Sequence, residues 1–351
     1  MREPLNIPED HLRACLREEY DLAVTTLEFL PLGGDNRSAV YRLVSEQGIS
    51  YLLKVRSGSF YEPSCLVPRY LSDHGIDAVV APLPTKSVAL WTKLEEWILI
   101  IYPFIEGYTG WNPSMTDVQW QTVGTTFRQI HQFRLPAASF QSMRRETFDP
   151  TEYGRSVQAI EAEYISAIGG SQMEQTLRSL WLAHQPTIHT AVASLEKLAT
   201  VLREQSGPQV ICHADLHPGN LIRSQGSEVF VIDWDDVMLA PKERDFLFVG
   251  EVRVNGSAWQ DPALFFQGYG QTDIDWAALT YYLWERFIQD VIYDAEAVFL
   301  RDDVGEANKA ASVETIAVVL AGEANFSEKA FAAAAHLPAD LRFPDKEIHS
   351  Q

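Results

Sequence analysis

The sequence predicts an α+β fold with two lobes, a small β-rich N-terminal lobe and a larger, mainly helical C-terminal lobe. Three observations carry this prediction. The first hundred residues contain short β-rich runs separated by turn residues, and a proline-containing linker follows at 103–107. Beyond the linker, apolar residues recur at helical spacing over most of the chain. We therefore place the N-terminal lobe at 1–102, a hinge at 103–107 and the C-terminal lobe at 108–351.

The N-terminal lobe is predicted to form a five-stranded sheet with a helix before it. That helix lies over 8–19, where charged and apolar residues alternate at helical spacing. A weaker helix over 62–74 is interrupted by Pro68. The strands are predicted at 24–30, 39–44, 50–55, 87–91 and 97–102.

The C-terminal lobe is predicted to open with a helix that starts at Thr116. Thr116 and Gln119 form a capping-box pattern. Apolar residues then follow at spacings of three and four, which place them on one helical face: Trp120, Val123, Phe127 and Ile130. Further helices are predicted over 152–168, 172–204 (with a break near Pro186) and 276–300, and a short β-rich segment over 209–233.

The charge balance restricts the possible partners. The chain has 28 basic and 48 acidic residues among 351, a formal net charge of −20 at pH 7 with neutral histidines. Nucleic acid is therefore not expected as a partner, because phosphate backbones are bound by basic surfaces. The acidity favours a small cationic substrate, or it serves solubility alone. We expect a monomer or a homodimer.

The cysteine and hydropathy patterns favour a cytoplasmic protein. The three cysteines cannot all pair with one another, and their spacing fits no zinc site. A reducing compartment is the simplest setting for them. The N-terminal segment is charged, unlike a signal peptide, and the longest apolar run, 97–102, is too short to span a membrane.

The strongest chemical signal is the pattern H-x-D-x-x-x-x-N, formed by His213, Asp215 and Asn220. Thirteen residues further on, Asp233 follows an apolar run. In phosphoryl-transfer sites with this pattern, the aspartate accepts the proton of the attacking hydroxyl and the asparagine holds a metal ion. The alternative is a chance match in a β-hairpin with solvated side chains at its open end.

The same segment predicts how two metal ligands come together. A turn at 224–227 separates two β-rich runs. We expect these runs to pair with 221 opposite 232, which places Asn220 opposite Asp233 with Cβ atoms about 5 Å apart. An amide oxygen and a carboxylate at that separation can share Mg²⁺, a hard cation that prefers oxygen ligands.

A lysine within an apolar strand is the candidate phosphate ligand. Lys54 lies in the run Tyr-Leu-Leu-Lys-Val, where burial without a nearby anion is costly. We expect it to face a cleft, grip nucleotide phosphates and pair with Glu62, the first acidic residue after it. The alternative is an edge lysine that prevents aggregation.

A glycine-rich turn between the first two predicted strands is a second candidate for phosphate binding. Its glycines would let backbone N–H groups approach phosphates. The residues concerned are Gly33, Gly34, Asp35, Asn36 and Ser38. Taken alone, this segment is more typical of a plain turn.

The run His213-Ala-Asp215-Leu-His217-Pro-Gly-Asn220, with Ile-Asp233-Trp-Asp235 after it, resembles the aminoglycoside phosphotransferase and choline kinase family. Members of that family are similar in fold to protein kinases. The resemblance covers most of the chain, and the stretches at 102–106 and 233–245 look closest to the spectinomycin phosphotransferase branch. It implies a bilobal protein-kinase-like fold with ATP and Mg²⁺ as cofactors.

The resemblance also implies residue roles in the catalytic segment. Asp215 would orient and deprotonate the acceptor hydroxyl, and Asn220 and Asp233 would bind Mg²⁺. Three further residues would support the catalytic loop: His213, His217 and Asp245.

For the nucleotide, the resemblance implies a phosphate grip and a hinge. Lys54 and Glu62 would form the phosphate-gripping pair, although Pro63 strains the helix that should present Glu62. Backbone groups of the hinge would read the adenine edge, namely those of Pro103, Phe104 and Ile105.

A cationic substrate requires carboxylates in the acceptor groove. Asp235 and Asp236 follow the predicted metal ligand after one intervening residue and should border the acceptor site. Glu285 and Asp290 lie on a predicted helix whose Tyr and Trp residues could enclose an ammonium group. For each residue singly, a solvated acidic helix face is an equally good explanation.

Three functions remain open on these grounds. The leading hypothesis is an ATP- and Mg²⁺-dependent kinase that inactivates spectinomycin or a related aminocyclitol or aminoglycoside, a resistance function. The second is a metabolic kinase of the same fold acting on choline, ethanolamine, homoserine or a modified sugar. The third is an inactive kinase-like binding module, against which the complete set of catalytic-site residues argues.

Overall fold

The computed structural model describes most of the chain, namely residues 7–32, 38–110, 115–136, 140–205, 207–224, 226–249, 253–254, 257–258, 262–301, 304–321 and 326–342. The helices in these ranges are α1 (Glu9–Tyr20), α2 (Pro63–Asp73), α3 (Asp117–Gln132), α4 (Thr151–Ile160), α5 (Gln172–Gln205), α6 (Pro262–Tyr269), α7 (Trp276–Phe299), α8 (Glu306–Ala321) and α9 (Phe326–Ala334). The strands are β1 (Val24–Leu30), β2 (Ser38–Ser45), β3 (Ser50–Arg56), β4 (Thr92–Leu94), β5 (Trp97–Pro103), β6 (Tyr108–Thr109), β7 (Val210–Cys212), β8 (Leu221–Arg223), β9 (Val229–Val231), β10 (Met238–Ala240), β11 (Arg253–Val254) and β12 (Ser257–Ala258). Within these ranges, no helix has the length and apolar character needed to cross a membrane.

The chain divides into two compact units. The first comprises Met1–Arg144, His213–Met238 and Leu264–Gly270, and the second comprises Arg145–Cys212, Leu239–Ala263 and Gln271–Gln351. The first unit holds a five-stranded antiparallel sheet in the order β1-β2-β3-β5-β4 and a three-stranded sheet in the order β6-β8-β9. The second is mainly helical. The α+β class predicted from the sequence is confirmed.

The two faces of the five-stranded sheet carry different side chains. Leu53 and Val55 of β3 are buried in a core that includes Leu12 and Leu16 of α1. Because side chains alternate along a strand, Lys54 lies on the opposite face. There it pairs across the sheet with Ile100 of β5, in the part of the fold that α2 covers.

The three-stranded sheet is joined to the segment that follows α2. Val79 and Val231 form a parallel bridge, in which the Val231 N–H donates to the Ala78 carbonyl at 2.8 Å and the Val80 N–H donates to the Val231 carbonyl at 3.0 Å. Chain segments far apart in sequence are thereby held in the same unit.

The predicted strand at 87–91 is wrong. Residues 85–89 form a turn of their own, in which the Thr85 N–H donates to the Ala89 carbonyl at 2.7 Å and Val88 has a φ of 66°. The fifth strand is instead β4, which pairs with β5 across the turn at Glu95. The expected break at Pro186 is also wrong, because α5 continues through it and buries Ile188 beyond. Tertiary packing there outweighs the hydrogen bond that proline removes.

The core of the second unit is formed mainly by helices, α4 among them with Val157 and Ile160. Large aromatic side chains of α5 and α7 are fully buried there, including Trp181, Tyr281, Tyr282 and Trp284, together with apolar residues of α8 and α9. The predicted helix over 276–300 is confirmed as α7, whose N-terminus is capped by Asp275. The capping box of Thr116 and Gln119 in the first unit is confirmed as well.

Candidate phosphoryl-transfer site

The loop of the first unit that carries the predicted base, Asp215, folds back on itself around Asn220. The Asn220 N–H donates to the His217 carbonyl at 2.9 Å and closes a short 3₁₀ turn over Pro218–Asn220. The Gly219 N–H donates to His217 Nδ1 at 3.0 Å, and Asn220 Nδ2 donates to the Asp215 carbonyl at 2.9 Å. These bonds hold the predicted base and the predicted metal ligand in one short segment.

His213 ties the start of this loop to the chain after β9. It is completely buried, with Nε2 donating to the Ile232 carbonyl at 2.9 Å and its ring packing edge-on against Trp234. Its other ring nitrogen accepts from the Asp215 N–H at 3.3 Å. The histidine therefore joins Asp215 to the segment that carries Asp233. Its role as a scaffold residue for catalysis remains a prediction.

The predicted register of the β8–β9 hairpin is wrong by one residue. Leu221 pairs with Val231, and the Asn220 carbonyl accepts from the Ile232 N–H at 3.0 Å. The reason is the turn, in which the Ser224 N–H donates to the Glu228 carbonyl and so closes the hairpin one residue earlier than predicted. Asp233 consequently lies beyond the paired residues.

Asp233 adopts a left-handed backbone conformation with a φ of 61°. Aspartate tolerates this region better than most residues. The chain turns there, and Asp233 Oδ1 lies 2.9 Å from Lys54 Nζ. Partial desolvation by itself raises the pKa of Asp233, but attraction to Lys54 outweighs it and holds the pKa below its ordinary value. Asp233 is therefore ionised near neutral pH.

Lys54 forms a second ion pair with Asp235, whose Oδ2 lies 2.8 Å from Lys54 Nζ. The same carboxylate oxygen lies 3.4 Å from Arg56 Nη1. Burial lowers the pKa of Lys54, but Asp233 and Asp235 outweigh burial and raise it. Sequence reasoning did not identify Arg56, although its position two residues after Lys54 places it on the same face of β3.

Glu62 is exposed at the start of α2. Within the described residues, the ion pairs of Lys54 are those with Asp233 and Asp235. Pairing of Lys54 with Glu62 remains a prediction drawn from the family resemblance. Ser38 pairs with Arg56 across β2 and β3. The rest of the glycine-rich turn named above (Gly33, Gly34, Asp35 and Asn36) lies outside the described residues.

The predicted hinge follows directly from β5. Pro103 is the last residue of that strand, and the Phe104 N–H donates to the Ser50 carbonyl at 3.4 Å. The Arg42 guanidinium lies 4.5 Å from the centre of the Phe104 ring and forms a 2.8 Å ion pair with Glu106. These contacts hold the backbone on both sides of Ile105. Adenine recognition by this backbone remains a prediction.

Asp236 has partners of its own in the first unit. Its Oδ1 lies 3.3 Å from Arg144 Nη1, and the Arg144 guanidinium stacks on the Tyr61 ring at 4.1 Å. The Tyr61 hydroxyl donates to the Val237 carbonyl at 2.9 Å. The Asp236 side chain is nevertheless 62% exposed. It can therefore still meet a cationic group, as predicted for a substrate ligand.

The remaining predicted substrate residues lie in the second unit. Glu285 is 7% exposed, pairs with Arg244 and accepts from the Tyr153 hydroxyl at 3.1 Å. Burial raises the pKa of Glu285, and Arg244 only partly offsets this. Asp290 pairs with Arg286 of the same helix at 3.0 Å. The roles of Glu285 and Asp290 in substrate binding remain predictions.

The predicted scaffold residues His217 and Asp245 differ in their surroundings. His217 Nε2 lies 3.5 Å from Asp215 Oδ2 in the first unit. Asp245 is completely buried in the second unit, within the short 3₁₀ segment Lys242–Phe246. That segment also supplies Arg244, which sequence reasoning did not identify as the partner of Glu285 because the two are distant in sequence.

The donor set of Asn220 and Asp233 fits Mg²⁺. The amide nitrogen of Asn220 bonds to Asp215, so its oxygen is the atom suited to a metal. Asp233 is an ionised carboxylate whose side chain is 47% exposed. Both supply the oxygen ligands that a hard divalent cation prefers.

Comparison with known proteins identifies the family to which this chain belongs. The model of the phosphotransferase enzyme family matches residues 28–282. The chain therefore belongs to that family and is an enzyme that transfers a phosphoryl group to an alcohol. Asp215, Asn220, Asp233 and Lys54 all lie within the matched region.

Among individual proteins, the chain is similar to a spectinomycin phosphotransferase. Its crystal structure with ADP and spectinomycin has a TM-score of 0.82 and 28% sequence identity, covering 94% of this chain and 99% of that one. The AMP complex of the same enzyme has a TM-score of 0.77 and the same identity, covering 92% and 98%. Protein StrN of Streptomyces griseus is 26% identical over 280 residues, which are 76% of this chain and 82% of that protein.

These likenesses identify the fold as the protein-kinase-like fold of aminoglycoside phosphotransferases. A short match to the serine/threonine-protein kinase PknD of Chlamydia caviae, 29% identical over 102 residues, covers 27% of this chain and 11% of that protein. The fold class and the family predicted from the sequence are both confirmed.

Proposed function

We propose that this enzyme uses ATP and Mg²⁺ to phosphorylate a hydroxyl group of spectinomycin or of a related aminocyclitol or aminoglycoside. The observation that carries the proposal is the ion pair between Lys54 and Asp233. Lys54, a cation that can bind phosphates, lies 2.9 Å from Asp233, a carboxylate that can bind a metal ion. The two residues are 179 positions apart in the sequence.

Each residue of the proposed site has its own role in the reaction. Lys54 binds nucleotide phosphate oxygens, and Asn220 with Asp233 holds the metal. Mg²⁺, when bound, neutralises charge on the transferred phosphoryl group. The Asp215 carboxylate orients the acceptor hydroxyl and takes its proton, while the hydroxyl oxygen bonds to the γ-phosphorus, the bond from that phosphorus to the bridging oxygen breaks and ADP leaves. The loop bonds around Asn220 and His213 hold that carboxylate in place.

The substrate class is supported by similarity and by charge. The spectinomycin phosphotransferase described above was crystallised with ADP and spectinomycin. Its structural similarity covers 94% of this chain. The chain has a formal net charge of −20, and Asp236, three residues after the predicted metal ligand in the sequence, offers an exposed carboxylate. A cationic antibiotic suits such surroundings. A metabolic role is the competing outcome in the experiment below.

We also propose a cytoplasmic monomer or homodimer that acts on small molecules and does not bind nucleic acid. Three free, buried cysteines agree with a reducing compartment. Size-exclusion chromatography with light scattering at several protein concentrations measures the oligomeric state.

The experiment is an acceptor panel with Mg²⁺ and ATP, read as acceptor-dependent ADP release. Spectinomycin, choline, ethanolamine and homoserine head the panel, and kcat/KM is compared among them. D215A, purified identically, is the control for contaminating kinases. We expect the highest kcat/KM with spectinomycin, and a rate lower by about a hundredfold or more with D215A.

Two results would contradict the proposal. A higher kcat/KM for a metabolite than for any aminocyclitol would indicate a metabolic kinase. Nucleotide binding without acceptor-dependent turnover on the whole panel would favour a kinase-like binding module.

A further inference from the structure

In the first unit, one carboxylate oxygen of Asp235 lies close to two cationic side chains of strand β3. Asp235 Oδ2 lies 2.8 Å from Lys54 Nζ and 3.4 Å from Arg56 Nη1. Lys54 and Arg56 are two residues apart on β3, so their side chains leave the same face of the sheet. The side chains of Lys54 and Arg56 are 12% and 16% exposed. Pairs this enclosed are screened much less by salt than surface pairs.

The helix that faces these cations does not present a carboxylate to them. Glu62 is exposed at the N-terminal end of α2. Helix α2 packs against the sheet near Lys54 through Cys65, which is completely buried beside Ile98 and Ile100, and through the apolar Leu66. Burial raises the pKa of the Cys65 thiol to about 11, so this side chain is neutral near pH 7. The buried contact of α2 therefore cannot neutralise the lysine.

Asp233 cannot serve as the lasting partner of Lys54 either. Under the proposed function, on which this step rests, Asp233 is a ligand of Mg²⁺. A carboxylate that coordinates a metal gives up negative charge to it, and its hold on a neighbouring ammonium weakens. Asp235 then remains as the anion at hydrogen-bond distance from Lys54.

We infer that Asp235 is the positioning residue of the phosphate-binding lysine, in the role that the family resemblance implies for Glu62. Asp235 holds the Lys54 ammonium toward the nucleotide while Asp233 binds the metal, and Arg56 holds Asp235 in turn. This assignment differs from substrate binding, the role predicted for Asp235 from the sequence. A carboxylate engaged by two cations has little remaining affinity for a third, whereas Asp236 stays exposed.

The experiment measures nucleotide binding by calorimetry, without any acceptor. Wild type, D235N, D235E and E62Q are titrated with ADP at saturating Mg²⁺. D73N is the matched control, because Asp73 is also a carboxylate in an arginine ion pair of the first unit, on the exposed side of α2. We expect D235N to weaken ADP binding about tenfold, as is typical when a group that orients a ligand-binding side chain is removed. D235E should recover part of the loss, and D73N should bind ADP like the wild type.

A double-mutant cycle with K54M shows whether the effect passes through the lysine. If Asp235 acts by positioning Lys54, D235N has no further effect on the ADP Kd in the K54M background. An equal loss in both backgrounds would overturn the assignment. So would a larger loss in E62Q than in D235N.

Two further readouts separate this role from the others. The Mg²⁺ concentration for half-maximal rate should be the same in D235N and wild type at saturating nucleotide. If D235N raised only the Mg²⁺ concentration for half-maximal rate, Asp235 would be a metal ligand. If D235N raised only the KM of the acceptor, Asp235 would be a substrate ligand. Either result would overturn the inference. Because the titrations need no acceptor, they remain decisive if spectinomycin proves not to be the substrate, whereas wild type that binds no ADP would contradict the proposed function itself.

Discussion

The amide nitrogen of Asn220 lies 2.9 Å from the main-chain carbonyl of Asp215 and 3.4 Å from the Oδ2 atom of the same residue. One side chain thus fixes the backbone and approaches the carboxylate of the predicted base. Both contacts use the nitrogen of the amide, so the oxygen is directed elsewhere. Asn220 is 6% exposed, and its position is accordingly well determined by its surroundings.

Replacement of Asp215 tests the role of the base. We expect D215A to lower kcat by about a hundredfold or more, the contribution typical of general base catalysis. Nucleotide affinity should change little, because Lys54 and Asp233 are untouched. Steady-state kinetics and ADP titration measure the two effects. If D215A keeps more than about a tenth of the wild-type kcat, the role assigned to Asp215 is wrong.

Replacement of Asn220 should produce two separable defects. N220A removes one donor to the Asp215 carbonyl, which should cost about 1 kcal/mol of unfolding free energy. It also removes the predicted metal oxygen, so the Mg²⁺ concentration for half-maximal rate should rise. N220D keeps an oxygen ligand but loses the amide donor, and it should share the stability defect. Thermal unfolding and Mg²⁺ titration measure the two effects, and an unchanged Mg²⁺ dependence in N220A would exclude Asn220 as a ligand.

The contact between α3 and α6 depends on a glycine. A Cβ at Gly124 would lie 2.0 Å from the Phe265 carbonyl oxygen and 2.7 Å from the Tyr269 nitrogen. We expect G124A to lower the unfolding free energy by at least about 2 kcal/mol, because main-chain atoms must move.

Gly154 of α4 offers a matched control for that substitution. Its added Cβ would lie 3.6 Å from atoms of Val192 and Glu196, which is ordinary contact. G154A should therefore be neutral, or stabilising by up to about 1 kcal/mol through helix propensity. Chemical denaturation compares the two variants, and equal effects would contradict the packing argument.

Asp294 of α7 makes stability depend on pH. It is 7% exposed, and burial together with the nearby Asp290 raises its pKa to about 6, although a hydrogen bond with Ser312 opposes this. Because the pKa in the folded state exceeds that in the unfolded chain, the protonated carboxyl contributes stability that is fully present below about pH 4. That stability is lost as the pH rises through about 6.

The contribution of Asp294 is measured as the difference in stability between the variant D294N and the wild type at each pH. Its amide cannot ionise, so D294N should be more stable than wild type above pH 7 by about 1 kcal/mol, a value reduced for solvent screening. Below pH 4 the difference should vanish or reverse. Thermal unfolding from pH 4 to pH 8 measures it, and a constant difference over that range would show that Asp294 does not titrate as described.

Local patterns in the sequence sufficed for much of the fold and for the candidate residues. Strand β1 and the capping box of Thr116 were both predictable, because alternation, helical periodicity and capping act over a few residues. The catalytic motif was readable for a similar reason, since Asp215 and Asn220 bond to each other within one short loop. Proline and turn effects were less predictable. Pro186 is accommodated in a long helix because the packing of the second unit compensates for it.

The sequence by itself therefore determined the family and the fold class, and it supplied the residues that are predicted to carry phosphoryl transfer. Only the tertiary structure decided which charges meet. It paired Lys54 with Asp233 and Asp235, left Glu62 exposed, and placed Glu285 against Arg244. The physical reason is that ion pairs between distant segments depend on strand register, turn closure and helix orientation, and a shift of one residue in any of these exchanges one partner for another.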